Sequence, residues 1–121
     1  MLTLPPSVRI FIALEPTDMR KQFDGLYAKA REVADIDPFS GHLFVFSNRK
    51  RDLCKILMWD RSGFALWSKR LERGTFAWPK CGNRRSIELQ ARELMGVLEG
   101  LDLEHARWRK RFERLPFRME S

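Results

Sequence analysis

Leu43-Phe44-Val45-Phe46-Ser47-Asn48-Arg49-Lys50-Arg51-Asp52-Leu53-Cys54-Lys55-Ile56-Leu57-Met58-Trp59-Asp60-Arg61-Ser62-Gly63-Phe64-Ala65-Leu66-Trp67 decides the fold. Residues 43–46 and 54–59 are apolar, aromatic-rich runs of strand length, separated by the polar turn 47–52. Asp60-Arg61-Ser62-Gly63 fits a four-residue hairpin loop, with Gly63 available for positive φ, and residues 64–71 return as the next strand. That loop sets the register: Trp59 faces Phe64, Leu57 faces Leu66 and Ile56 faces Trp67. One face carries Leu57, Trp59, Phe64 and Leu66, the other Ile56, Met58, Ala65 and Trp67. Both are apolar, so one packs on helices and the other meets a second layer, a partner subunit or a ligand.

Upstream, residues 8–14 (Val-Arg-Ile-Phe-Ile-Ala-Leu) read as a strand buried on both faces and ended by Glu15-Pro16. Thr17 or Asp18 then caps a helix with the stripe Met19, Phe23, Leu26, Ala30 and Val33. Gly25 inside it costs about 1 kcal/mol against alanine, acceptable where something approaches the backbone closely. Residues 35–41 are a Pro- and Gly-punctuated turn. Downstream, residues 75–79 form a short edge strand stopped by Pro79. Residues 80–85 are a basic loop, and Ser86 caps a second helix with Ile87, Ala91, Leu94, Val97 and Leu98 as its stripe and Gly100 past its end.

The expected architecture is α+β: an antiparallel β-meander of four to five strands with two packed helices, on one side of the sheet, in the order β-α-β-β-β-(β)-α. Residues 1–103 make a single domain and 104–121 a basic C-terminal arm around Trp108. The chain of 121 residues is long enough for one modest core. No run approaches the roughly 20 apolar residues of a membrane span, and the N-terminus has no signal-peptide pattern. A cytoplasmic protein with reduced thiols and no membrane contact is expected. Cys54, in an apolar run, reads as a buried small hydrophobe.

Charge is the clearest functional signal. Residues 49–85 carry eleven Lys/Arg against three Asp/Glu, a net of +8, while the whole chain is +7. Three of the four tryptophans (Trp59, Trp67, Trp78) lie in the same stretch. Clustered cations favour a phosphate backbone, and interleaved rings can stack on bases. A tryptophan-rich core with a solvated basic rim is the competing reading. Three clusters stand out: Arg49-Lys50-Arg51 at a hairpin tip, Lys69-Arg70 with Arg73 at a strand end, and Arg84-Arg85, with Lys80, before a helix N-terminus that would itself favour phosphate. Arg49, Lys50, Arg51, Lys69, Arg70, Arg73, Arg84 and Arg85 are the candidate nucleic-acid contacts. Nothing in the pattern supplies base specificity.

Catalytic chemistry finds little support. Metal-dependent polynucleotidyl transfer needs two or three converging carboxylates, and nucleases of the ribonuclease-H type place one in the first strand, where residues 9–14 have none. Asp18 reads as a helix-start residue, and Asp37, Asp52 and Asp60 as turn residues. No zinc spacing, nucleophilic triad or phosphate-cradling glycine loop appears, so neither a cofactor nor a metal is expected.

Several stretches together carry a family resemblance: Val8-Arg9-Ile10-Phe11; Pro16-Thr17-Asp18-Met19-Arg20-Lys21-Gln22-Phe23-Asp24-Gly25-Leu26; residues 37–49; Lys55-Ile56-Leu57-Met58-Trp59-Asp60; Gly63-Phe64; Leu66-Trp67; residues 69–74; and Phe76-Ala77-Trp78-Pro79. The chain resembles, from about residue 5 to 103, the TnpB-type accessory protein of the IS-sixty-six class of bacterial insertion sequences. The resemblance implies a protein needed for efficient transposition, encoded beside a separate transposase that carries the acidic catalytic residues. It brings no catalytic residues with it.

Two functions follow as expectations. One is a non-catalytic accessory factor that holds DNA, at element ends or in a transposition complex, on its basic surface. The other is an adaptor for the transposase without direct DNA contact, using an exposed apolar sheet face and the 17–26 segment. Arg20, Lys21, Asp24 and Trp108 are the candidate partner contacts.

Overall fold

Turn chemistry between residues 43 and 70 produces the hairpins expected of it. The structure, a computed structural model, describes residues 8–34, 36–80 and 82–100. In chain order the elements are β1 (Ile10–Ala13), α1 (Phe23–Ala34), a 3-10 turn (Pro38–Ser40), β2 (Leu43–Ser47), β3 (Leu53–Trp59), β4 (Phe64–Arg70), β5 (Ser86–Leu89) and α2 (Ala91–Leu98). They form one α+β unit around a five-stranded, mostly antiparallel sheet of order β4-β3-β2-β1-β5. The expected arm, residues 104–121 with Trp108, lies outside the described residues.

β3 and β4 pair in the expected register, Trp59 with Phe64, Leu57 with Leu66 and Ile56 with Trp67. The loop closes by Asp60 N donating to Gly63 O at 2.9 Å. Its positive φ falls on Arg61 (83°) and not on Gly63. At the β2–β3 turn the Asn48 side chain imitates backbone: Oδ1 accepts from Asp52 N and Leu53 N, both at 3.1 Å. β1 runs parallel to β2, because a helix separates them in the chain.

Two boundaries differ from the sequence expectation, each for a local reason. α1 starts at Phe23, not at Thr17 or Asp18. The Lys55 ammonium donates to Met19 O (2.7 Å) and Lys21 O (3.2 Å). Those carbonyls would accept the i+4 amides of a helix running through this segment. Asp18 instead closes a short turn, its Oδ1 accepting from Arg20 N at 3.0 Å. At the other end of the chain, Ser86 does not cap a helix. Residues 86–89 are β5, antiparallel to β1. β1 is buried along its length and needs a neighbour on each edge for its backbone groups. α2 begins after Gln90, whose N–H donates to Glu93 Oε1 at 2.8 Å, and ends before Gly100 (φ 87°).

The expected fifth strand, residues 75–79, is an irregular strap. Phe76 N donates to Arg51 O (2.7 Å), Ala77 N to Val97 O (3.2 Å) and Trp78 Nε1 to Ala13 O (2.8 Å). Phe76 is buried, and Trp78 packs on the same core.

The helices lie on opposite faces of the sheet, not on one side. Leu26 and Ala30 of α1 pack on Phe11, Ala13, Phe44, Phe46 and Leu57. Leu94, Val97 and Leu98 of α2 join Ile10, Ile12, Leu43, Val45, Cys54, Ile56 and the strap's Phe76 on the other face. Alternation along fully buried strands forces this division, since β1 and β2 are apolar at odd and even positions alike. Each apolar face therefore meets a second layer of the same chain.

Candidate nucleic-acid interface

Strand direction decides where the charges go. Arg70 at the end of β4 pairs with Leu53 at the start of β3, Cys54 pairs with Ser47 at the end of β2, and Ile12 pairs with Val45 and Ile87. The ends of β1, β2 and β4 and the starts of β3 and β5 thus share one end of the sheet. All three basic clusters, 49–51, 69–73 and 84–85, attach there. Five strands spaced about 4.8 Å apart make this end roughly 19 Å across. The 17–21 segment joins it, since Thr17 N donates to Ser47 O at 2.8 Å.

The cations at this end are not equivalent. Arg49 and Lys50 are exposed at the turn, and Lys69, Arg70, Arg73, Arg84 and Arg85 are exposed beside it. Arg51 turns inward. With φ 59° it sends Nη1 to Ser47 Oγ (2.7 Å) and Nη2 to Leu14 O (2.8 Å), and its guanidinium lies 5.3 Å from the Trp78 ring centre. It ties the turn to β1 and the strap. Arg70 Nη1 lies 3.9 Å from Asp52 Oδ1. Arg85 pairs with Glu32 of α1, and its carbonyl accepts from Leu14 N at 2.9 Å. The Arg85 hydrogen bond, helped by the charges of Lys29 and Arg85, lowers the Glu32 pKa.

Among the partner candidates, Arg20 grips Asp18 through Nε (3.0 Å) and Nη2 (2.9 Å). Those bonds and the Arg20 backbone N–H hold the Asp18 carboxyl well below the usual carboxylate range. Lys21 and Asp24 are exposed at the start of α1. The Lys21 stem runs so close to Gly25 that a Cβ there would sit 3.0 Å from Lys21 Cβ and Cγ, the close approach that a mid-helix glycine suggests.

Three features of the site differ from the sequence reading. Residues 84–85 precede β5, so the N-terminus of α2 lies at the far end of the sheet, away from the basic clusters. Trp59, Trp67 and Trp78 are internal or remote. Trp67 packs on the α2-side core, Trp78 is bonded to Ala13 O, and Trp59 sits at the far end in an aromatic group with Phe39 and Phe64 (4.8 and 5.1 Å between ring centres). Finally, charge clustering passes over Lys55, although a lone cation inside the apolar run 54–59 marks a buried, bonded lysine. Phe23, expected in the α1 core stripe, is 41% exposed.

Among the described residues no cluster of three or more His, Cys, Asp or Glu has metal-binding spacing. No helix among them is long and apolar enough to cross a membrane. Burial pushes the Cys54 thiol up to about 12, so it is not a nucleophile at neutral pH.

Residues 8–119 match a family model described as IS66 Orf2 like protein. Two proteins of Sinorhizobium fredii (strain NBRC 101917 / NGR234) are similar along most of their length. The uncharacterized protein y4hO is 38% identical over 111 residues, covering 90% of this chain and 96% of that protein. The uncharacterized protein y4jC is 33% identical over 95 residues, covering 78% and 80%. No solved structure gives a significant match. The chain belongs to the IS66 Orf2 like family, and membership places it among accessory proteins of insertion-sequence transposition.

Proposed function

We propose that the protein is a non-catalytic accessory factor in transposition that holds DNA phosphates along the basic end of its sheet. The observation that carries this reading is topological. Clusters at 49–51, 69–73 and 84–85, well separated in sequence, converge on one end about 19 Å across. Solubility alone does not require such convergence. A phosphate backbone rewards it, because each contact releases condensed counterions.

The acids of the chain support a binding role over catalysis. β1 carries none, Asp18 is occupied by Arg20, and Asp37 accepts from Phe39 N at 3.0 Å to start the 3-10 turn. Catalysis would then belong to the separate transposase. The adaptor reading keeps Arg20, Lys21 and Asp24 but loses its apolar sheet face, since both faces are covered within the chain.

The test removes Arg49, Lys50, Lys69 and Arg70 together by alanine substitution and leaves Arg51, which ties the fold together, in place. Affinity for a fluorescent duplex, measured across salt concentration, should fall. The slope of log affinity against log salt should flatten by about 0.9 for each phosphate no longer neutralised. An unchanged affinity and slope in a folded variant removes the interface. Transposase binding that survives nuclease treatment, without DNA affinity, would establish the adaptor instead.

A further inference from the structure

We propose that Phe23 is an aromatic contact for an unpaired base of DNA held at the basic end, presented by the 17–22 segment and flanked by Arg20 and Lys21. This rests on the phosphate-holding reading above and adds to it a preference for DNA with unpaired nucleotides.

Phe23 opens α1 and is 41% exposed, while Leu26 and Ala30, three and seven residues on, are buried. The segment before it is held at several points. Thr17 N is bonded to Ser47 O, Met19 O and Lys21 O to the Lys55 ammonium, and Arg20 to Asp18. The Lys21 stem lies against Gly25. Lys55 is itself 8% exposed, so a buried cation fixes the residues that lead into Phe23. A ring carried on so constrained a segment pays little ordering entropy on binding.

The surroundings indicate the ligand. Lys55 and Arg70 point to the same face of the sheet, because Lys55 pairs with Ser68 and Leu53 with Arg70, two residues apart on each strand. Arg20, Lys21, Arg49 and Lys50 are exposed at the same end. Trp67 and Trp78 are committed to the core and to Ala13 O, so neither offers a free ring here. Among the described residues the other exposed aromatic, Phe39, lies beyond the opposite end of the sheet, beside Trp59. Among the described residues, Phe23 is therefore the exposed aromatic next in sequence to exposed cations, two and three residues after Lys21 and Arg20. An aromatic face next to phosphate-binding side chains is how proteins hold single-stranded segments. In a closed duplex the base faces are covered by their neighbours, so the ring has nothing to stack on without unstacking a step.

The experiment compares a blunt duplex of about 20 base pairs with the same duplex bearing an overhang of about five thymidines, using the full chain and the variants Phe23→Ala and Phe23→Trp. Alanine should weaken overhang binding roughly 5- to 150-fold, the range that corresponds to losing one base–aromatic stack. Blunt-duplex affinity and its salt slope should stay unchanged, and Phe23→Trp should keep the overhang preference. Phe23 is 41% exposed and belongs to neither core cluster, so both variants should remain folded at the assay temperature, checked by far-UV ellipticity, with at most a modest fall in thermal midpoint for Phe23→Ala. Equal affinity of wild type and Phe23→Ala for the overhang DNA overturns the proposal, as does an equal loss on both DNAs. Loss of transposase binding alone would assign the ring to a protein partner, also against the proposal. Wild-type protein that binds neither DNA defeats the phosphate-holding reading itself, a result distinct from the others.

Discussion

Replacing Lys55 with methionine tests the account of the 17–22 segment most directly. The side chain is nearly buried, and its ammonium donates to Met19 O at 2.7 Å and Lys21 O at 3.2 Å. Hydrogen bonds to a charged group contribute about 1.5–3 kcal/mol each, which sets a gross loss of roughly 3–6 kcal/mol. Two effects offset it. Methionine retains the apolar stem packing, and the cost of taking an ammonium out of water, several kcal/mol, disappears. Residue 21 is exposed, so its carbonyl can turn to water. The net expectation is a destabilisation of about 1–2 kcal/mol, or roughly 5–15 °C in thermal midpoint for a domain of this size. A second signature is structural. The freed carbonyls at 19 and 21 can accept helical amides, so α1 should extend toward Asp18 and far-UV ellipticity at 222 nm should deepen despite the lower stability. Urea denaturation and amide exchange across residues 17–25 measure both. A Lys55→Met protein as stable as wild type, with unchanged exchange in that segment, would refute the view that the buried cation organises it.

Gly25→Ala, which in an exposed helix interior gains about 1 kcal/mol, should gain nothing here, because Lys21 Cβ and Cγ already stand 3.0 Å from the new methyl. Combined with Lys55→Met the gain should reappear, since Lys21 is then free to move, and urea midpoints of the single and double variants read out the coupling. His42 gives the pH dependence: its Nδ1 accepts from Arg9 N at 2.9 Å, and burial first, then the Arg9 charge, lowers its pKa while Glu88 opposes. The unfolded chain therefore takes up the proton first, so this stability is complete above the unfolded value of about 6.5 and is lost as pH falls below it. The urea midpoint should drop between about pH 7.5 and 5.5 in wild type and stay flatter in His42→Asn, which keeps an acceptor but does not titrate.

Strands were legible where alternation and turn residues agreed. Residues 43–47, 53–59 and 64–70 and the Trp59–Phe64 register follow from an apolar pattern broken by Asn, Asp and Gly. The α1 start was not, because Asp18 is as good a cap residue as Gln22 is a poor one. The deciding contact comes from Lys55, more than thirty residues away. Residues 86–89 misled for a related reason. Ser86, Ile87 and Leu89 fit a helix start and a strand equally well, and the unfilled edge of β1 settles the matter. Of the interface, the composition of the three clusters was readable from charge alone. Their convergence depends on strand order, and so does the inward turn of Arg51. Phe23 fitted a helical stripe whose first turn does not form.

The Arg51 contacts bear on how the chain comes to be functional. Its guanidinium spans 37 residues to Leu14, its carbonyl accepts from Phe76, and its ring partner is Trp78. The turn that displays Arg49 and Lys50 is thus completed only once β1 and the strap have both docked, contacts distant in sequence that a folding chain closes at high entropic cost. A nascent or partly unfolded molecule has the same net charge but not the same surface. If the basic end holds phosphates as proposed, its affinity for a polyanion would report on whether those distant contacts have formed.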